Sequence, residues 1–214
     1  MPPYLPWNVG VAASPTAAPV IFEPPSALTH GRHEVWVAAG GGEHWGGCEI
    51  WVSINDQSYR RVGLLYNGSA VGTIAELLAA AADPDTTSSV LVDVQPTNGV
   101  MFPGSRSDAD MLVTLCWVDG ELIAPTEVVL TAPHVYRLSG YIRRGCFGTP
   151  ITNHQPGAAF AQLSLEVWRF EYPPNFVGAP VYLKFPAFNE FSAAMETLDV
   201  CPAYSLTLTG ISAQ

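Results

Sequence analysis

The sequence predicts a mainly β fold, a hairpin-rich sandwich or barrel-like body with one short helix and a proline-rich extended N-terminal arm. Three observations carry this. β-Branched and aromatic runs recur with the period-two alternation of a sheet whose two faces differ. Turn signals separate them at spacings that suit sandwiches or barrels and not βαβ units. Glycine and proline, 19 of each in 214 residues, make up 38 positions, against a usual share of about 12%.

Residues 1–27 hold seven prolines among Ala and Ser. Proline fixes φ and donates no ladder hydrogen bond, so this stretch reads as an extended arm. Tyr4, Leu5, Trp7, Val20, Ile21 and Phe22 give it apolar anchors against its own body or a neighbour. A main β domain is expected over 28–170. Strands at 34–39, 48–54 and 59–66 read as a meander, with Asn55–Ser58 as one of its turns. Thr73–Ala82 is rich in Ala and Leu and is stopped by Asp83-Pro84, which predicts the short helix, with Thr73 and Glu76 as its capping box. Strands resume at 89–94, 111–118, 122–130, 135–143, 159–163 and 166–172. Asp119-Gly120 marks a tight hairpin. A C-terminal β segment, 171–214, with strands at 181–185 and 203–209, is expected either within the same domain or as a small second lobe.

Nine Lys+Arg against nineteen Asp+Glu leave a net charge of −10. So acidic a chain has little with which to neutralise phosphates, which argues against nucleic-acid binding. A hydrophobic share of 48% excludes intrinsic disorder. Every low-charge stretch is broken by Pro, Gly, Asn or Ser, so no membrane span is expected. Met1–Gly10 has no positively charged run and is interrupted by prolines, so it is not read as a secretory signal, and synthesis in a cytoplasm is expected. Lys184 is the only lysine. A surface covered by neutral polar residues is cheap to desolvate against neighbouring subunits.

Cys48, Cys116, Cys146 and Cys201 have no paired metal-ligand spacing and read as buried free thiols. No nucleophile elbow, zinc-protease motif or phosphate loop is present. No catalytic, cofactor or metal site is therefore assigned. His30, His33 and His44 read as loop histidines, and His134 and His154 as strand-edge residues. The pairs Asp83/Asp85 and Asp108/Asp110 lie in turn-like text and read as turn caps or surface positions. Trp36, Trp45 and Trp51 fall close together and are candidates for a stacking platform, which makes a β-sandwich receptor- or carbohydrate-binding module the second reading. A hydrolase with carboxylates that converge only in the fold is the third. Arg143 and Arg144, if buried, need acceptors from this chain or a partner.

Three segments, in order, resemble the tail tip (host-specificity or central baseplate hub) proteins of long-tailed phages and gene transfer agents. The first is Trp45-Gly-Gly-Cys-Glu-Ile-Trp-Val-Ser53 with Ser58-Tyr-Arg-Arg-Val-Gly63, where Asn55-Asp56-Gln57 stands at a turn that more usually has glycine. The second runs from Val118-Asp-Gly-Glu-Leu-Ile123 through Tyr136-Arg-Leu-Ser-Gly-Tyr-Ile-Arg-Arg-Gly145 and Phe147-Gly-Thr149 to His154-Gln-Pro-Gly157. The third joins Val181–Phe185, Phe188-Asn189, Leu198–Val200 and Ala203–Gly210. The resemblance covers roughly 20–210. It implies a non-enzymatic structural subunit of the virion tail, usually a homotrimer, that links other tail or baseplate proteins and supports attachment to a host surface receptor. Family members carry ring-forming hub domains ahead of this region, so the chain is expected to be a split-gene version or a fragment. Trp7, Trp36, Trp45, Trp51, Arg143 and Arg144 are the candidate interaction residues.

Overall fold

The computed structural model describes residues 11–163, 166–191 and 195–210. Trp7 and the first ten residues of the arm lie outside them. The described strands are β1 (Val20–Phe22), β2 (Glu34–Ala38), β3 (Trp45–Ser53), β4 (Arg60–Leu65), β5 (Val71–Ile74), β6 (Val90–Asp93) and β7 (Cys116–Val118). They continue with β8 (Glu121–Ala132), β9 (Val135–Arg143), β10 (Ala159–Gln162), β11 (Trp168–Glu171), β12 (Pro180–Lys184), β13 (Ala187–Asn189) and β14 (Tyr204–Thr207). Two short helices, α1 (Ser26–Thr29) and α2 (Arg106–Asp110), accompany them.

Three layers result. Strands β10-β5-β6-β9-β8-β7 close into an antiparallel barrel. A middle sheet β1-β2-β11 lies beside it, and an outer sheet runs β13-β3-β12-β14 with β4 on the other edge of β3. The middle strand explains its own sequence. All five residues of β2 are buried. Trp36 and Ala38 pack with Val71 and Ala161 of the barrel, while Val35 and Val37 pack with Cys48 and Ile50 of the outer sheet. A strand covered on both faces has no polar face to show. The barrel is filled by Ile74, Val90, Val92, Cys116, Val118, Ile123, Leu138, Ile142 and Phe160, all fully buried.

The eleven strands read from the sequence are all present, several of them shorter. Asp119 (φ 42°) and Gly120 (φ 94°) form the tight turn between β7 and β8, the left-handed pair that a two-residue hairpin favours. At the β3–β4 turn Asn55 Oδ1 accepts from the Gln57 and Ser58 amides, so an Asx turn does the work of the more usual glycine.

Three expectations are corrected. There is no helix at 73–82. Residues 71–74 are strand β5, the Ala75 amide still bonds Leu91, and Leu78 exchanges both backbone bonds with His154. Helix propensity of the Ala/Leu run is a weak prior, and here the backbone groups are committed to closing the barrel. A capped helix stands at α2 instead, where Ser105 and Asp108 form a capping box; only 116–118 of the expected 111–118 strand is extended. Strands β2 to β4 are not a meander. The glycine-rich link 40–47 carries the chain from the middle layer to the outer one, and Gly41 lies so close to Trp45 that a Cβ would meet its ring at 2.2 Å. The C-terminal segment, for which the sequence leaves both alternatives open, shares the outer sheet with the chain's first half, since β12 and β13 pair with β3.

Candidate functional site

At one end of the barrel β5, β7 and β9 end and β6, β8 and β10 begin. Two long loops, 75–89 and 144–158, cross this end. They are fastened by four side chains. The Glu121 carboxylate, at the start of β8, accepts from Arg144 Nε at 2.6 Å and Nη2 at 3.0 Å. It also accepts from His154 Nε2 at 2.8 Å and the amides of Gly145 and Thr152. Arg144 Nη1 turns to Asp85 at 3.3 Å and the Ala79 carbonyl at 3.1 Å. Asp85 in turn caps the Thr87 and Ser88 amides. The side chains of Arg144 and Glu121 expose nothing, and those of Asp85 and His154 expose 1%.

Burial alone would push the Glu121 carboxyl up, but hydrogen bonds from Arg144 and His154 outweigh it and hold the group below its usual range. Asp85 behaves likewise: donors on Ser88 and Thr87 overcome burial and bring it to about 2. An ionised, multiply donated carboxylate is a fixed anchor. His154 Nδ1 is buried without a partner among the described residues.

A second, more open layer surrounds this cluster. Arg143 forks onto Asp83 at 2.9 and 3.0 Å and reaches Asp110 at 3.2 Å. Tyr141 donates to Asp110 at 2.6 Å, and Arg106 lies 4.3 Å over the Tyr141 ring. The two arginines thus find their acceptors within the chain. Their roles differ: Arg144 is sealed, and Arg143 ties α2 and the 75–89 loop to β9.

The other site expectations fall out as follows. His154 is a core histidine, not an edge residue, because its backbone bridges Leu78 and its ring meets Glu121. Asp85 is a turn cap, as its sequence suggested, but a buried one, and Asp108 is the third helical residue of a capping box whose N-cap is Ser105. The three tryptophans do not form one platform. Trp36 is 4% exposed, packs toward the barrel and carries Arg169 at 4.2 Å. Trp45 donates to Thr16 and packs on the outer core. Trp51 donates to Glu49, itself paired with Arg61. Among the described residues no group of three or more His, Cys, Asp or Glu is placed to hold a metal, and no helix is long and apolar enough to cross a membrane.

Glu121, Asp85 and His154 were not singled out for this role from the sequence. A signal existed: an acid opening the apolar run Glu121-Leu-Ile-Ala124 must find partners once buried.

Fold and site together define a closed antiparallel β-barrel, latched at one end by a buried ion cluster and flanked by two sheets. Residues 69–161 match the family model described as Rcc01698-like, C-terminal. The matched stretch takes in the barrel up to β10 and all four residues of the latch. No curated protein matches the chain.

Proposed function

We propose that the chain is a structural subunit of a phage tail tip or baseplate hub, joining other tail proteins and supporting host attachment. The observation that carries this is how the second tail-tip-like segment is used. Its Glu121, Arg144, Gly145 and His154 all belong to the latch, which supports reading the pattern as a scaffold. Rigid barrels with few surface charges suit a subunit enclosed by neighbours.

The contact surface lies at the opposite end. Beyond Thr126, β8 keeps β9 on one side, and its other edge pairs with no strand among the described residues. Val129 and Leu130 there are 53% and 60% exposed, and Val100 and Phe102 add 57% and 68% nearby. An open strand edge whose one charged residue beyond Thr126 is Glu127 is a ready template for another chain. Replacing Val129 and Leu130 with glutamate is expected to leave the melting temperature within about 2 °C of the parent and to abolish incorporation into purified particles. Particles that incorporate the variant normally would contradict this choice of surface.

A further inference from the structure

Between the barrel and the middle sheet runs a cleft of 280 Å³ lined by Phe22, Pro24, Pro25, Trp117, Leu122 and Pro150. Phe22 and Trp117 set their rings 5.5 Å apart at 31°, making an aromatic floor. The Trp117 indole N–H has no acceptor among the described residues, and the ring is half-buried. Glu23, on the rim, is already engaged by the Tyr172 hydroxyl, the Thr209 amide and hydroxyl and the Gly210 amide. The cleft is therefore apolar, aromatic and free of an unpaired charge, with one indole donor to offer. Aromatic-lined grooves with such a donor accept polyproline segments, whose extended form carries little ordering cost.

The chain contains such a segment. Pro2-Pro3-Tyr4-Leu5-Pro6-Trp7 is uncharged and has prolines spaced as PxxP at Pro3 and Pro6. The whole of it cannot lie in its own cleft, because Pro6 is tethered too few residues from Val11. From Phe22, which pairs Trp36, the chain runs back along 36–43 to Ser14, which bonds Glu43. Those 22 − 14 = 8 residues span about 26 Å of extended backbone. Val11, held by the Asn189 side chain, lies at that far end. Pro6 is 11 − 6 = 5 residues from Val11 and reaches at most about 18 Å from it.

We propose that residues 2–7 of one copy dock in the Phe22/Trp117 cleft of a second copy. An arm leaving one surface to enter a different one is a heterologous contact, which closes into a ring or grows open-ended. This deepens the tail-subunit reading without depending on it.

The test uses the full chain. Sedimentation of the parent is expected to show self-association, lost on Pro3→Ala/Pro6→Ala or Leu5→Asp, substitutions outside the described residues. Added to the full-length Pro3→Ala/Pro6→Ala variant, a peptide MPPYLPWNVG is expected to shift the Trp117 indole N–H resonance. Trp117→Phe should weaken that peptide roughly three- to tenfold, the worth of one neutral hydrogen bond. A parent that stays monomeric, or a Trp117 resonance that the peptide leaves unmoved, overturns the proposal. So does a Trp117 resonance that moves on Ile211→Asp without peptide while the peptide has no effect, since residues 211–214 would then fill the cleft. A monomer found in tail tips overturns the arm exchange alone and leaves the tail reading standing.

Discussion

Arg144 and Glu121 meet through two parallel hydrogen bonds, 2.6 and 3.0 Å long, and neither side chain touches solvent. Removing one partner of such a pair leaves an uncompensated buried charge, at a cost of about 3–5 kcal/mol. Arg144→Met or Glu121→Gln is therefore expected to lower the melting temperature by about 6–20 °C, using 2–4 °C per kcal/mol for a chain of this size. The double variant should lose less than the sum of the two. Calorimetry on the three variants checks this; additive losses would mean that the pair is not coupled.

The depressed carboxyls make stability depend on acid. Asp85 sits at about 2 in the folded chain against 3.8 for the free residue, and Glu121 and Asp83 are also lowered. Their contribution is present above the unfolded values, near pH 4, and drains away as pH falls through the folded ones. For Asp85 this is about 2 kcal/mol, lost between roughly pH 4 and pH 2. Urea midpoints at pH 7, 4 and 3 are expected to fall more steeply for the parent than for Asp85→Asn. Equal slopes would remove Asp85 from the account.

All four cysteines are free and buried. Burial pushes the Cys48 thiol up to about 12, with only partial relief from Thr16, and raises Cys201 to about 12 and Cys146 to about 11. Thiolates are the reactive form. Alkylation at pH 8 is expected to be slow in the folded chain and to label all four after denaturation. Rapid labelling of the native protein would show that these positions open.

Barrel closure depends on one glycine. A Cβ on Gly72 would stand 1.8 Å from the Asp93 carbonyl across the β5–β6 pair. Gly72→Ala should cost about 1–3 kcal/mol or more, seen as a lower urea midpoint. An unchanged midpoint would mean that β5 and β6 can separate without harm.

The strand pattern was legible in the sequence because period-two runs and the Asp119-Gly120 turn are local signals. Their assignment to layers was not. Trp36 and Val37 look like neighbours in one strand, and only the third dimension sends one to the barrel and the other to the outer sheet. Thr73–Ala82 misled because alanine-rich text carries propensity but not the demands of a barrel seam. The latch was half legible. The sequence showed that Arg143 and Arg144 require acceptors; it did not show that Glu121, 23 residues away, and His154 would meet one of them.

The most direct measurement of the central claim is the position of this chain in intact particles. Purified phage-like particles, labelled with gold-tagged antibody to the chain and imaged by electron microscopy, should carry label at the free end of the tail, and label should vanish with the Val129→Glu/Leu130→Glu variant. Particles with no label, or label on capsids instead of tails, would contradict the assignment to the tail tip.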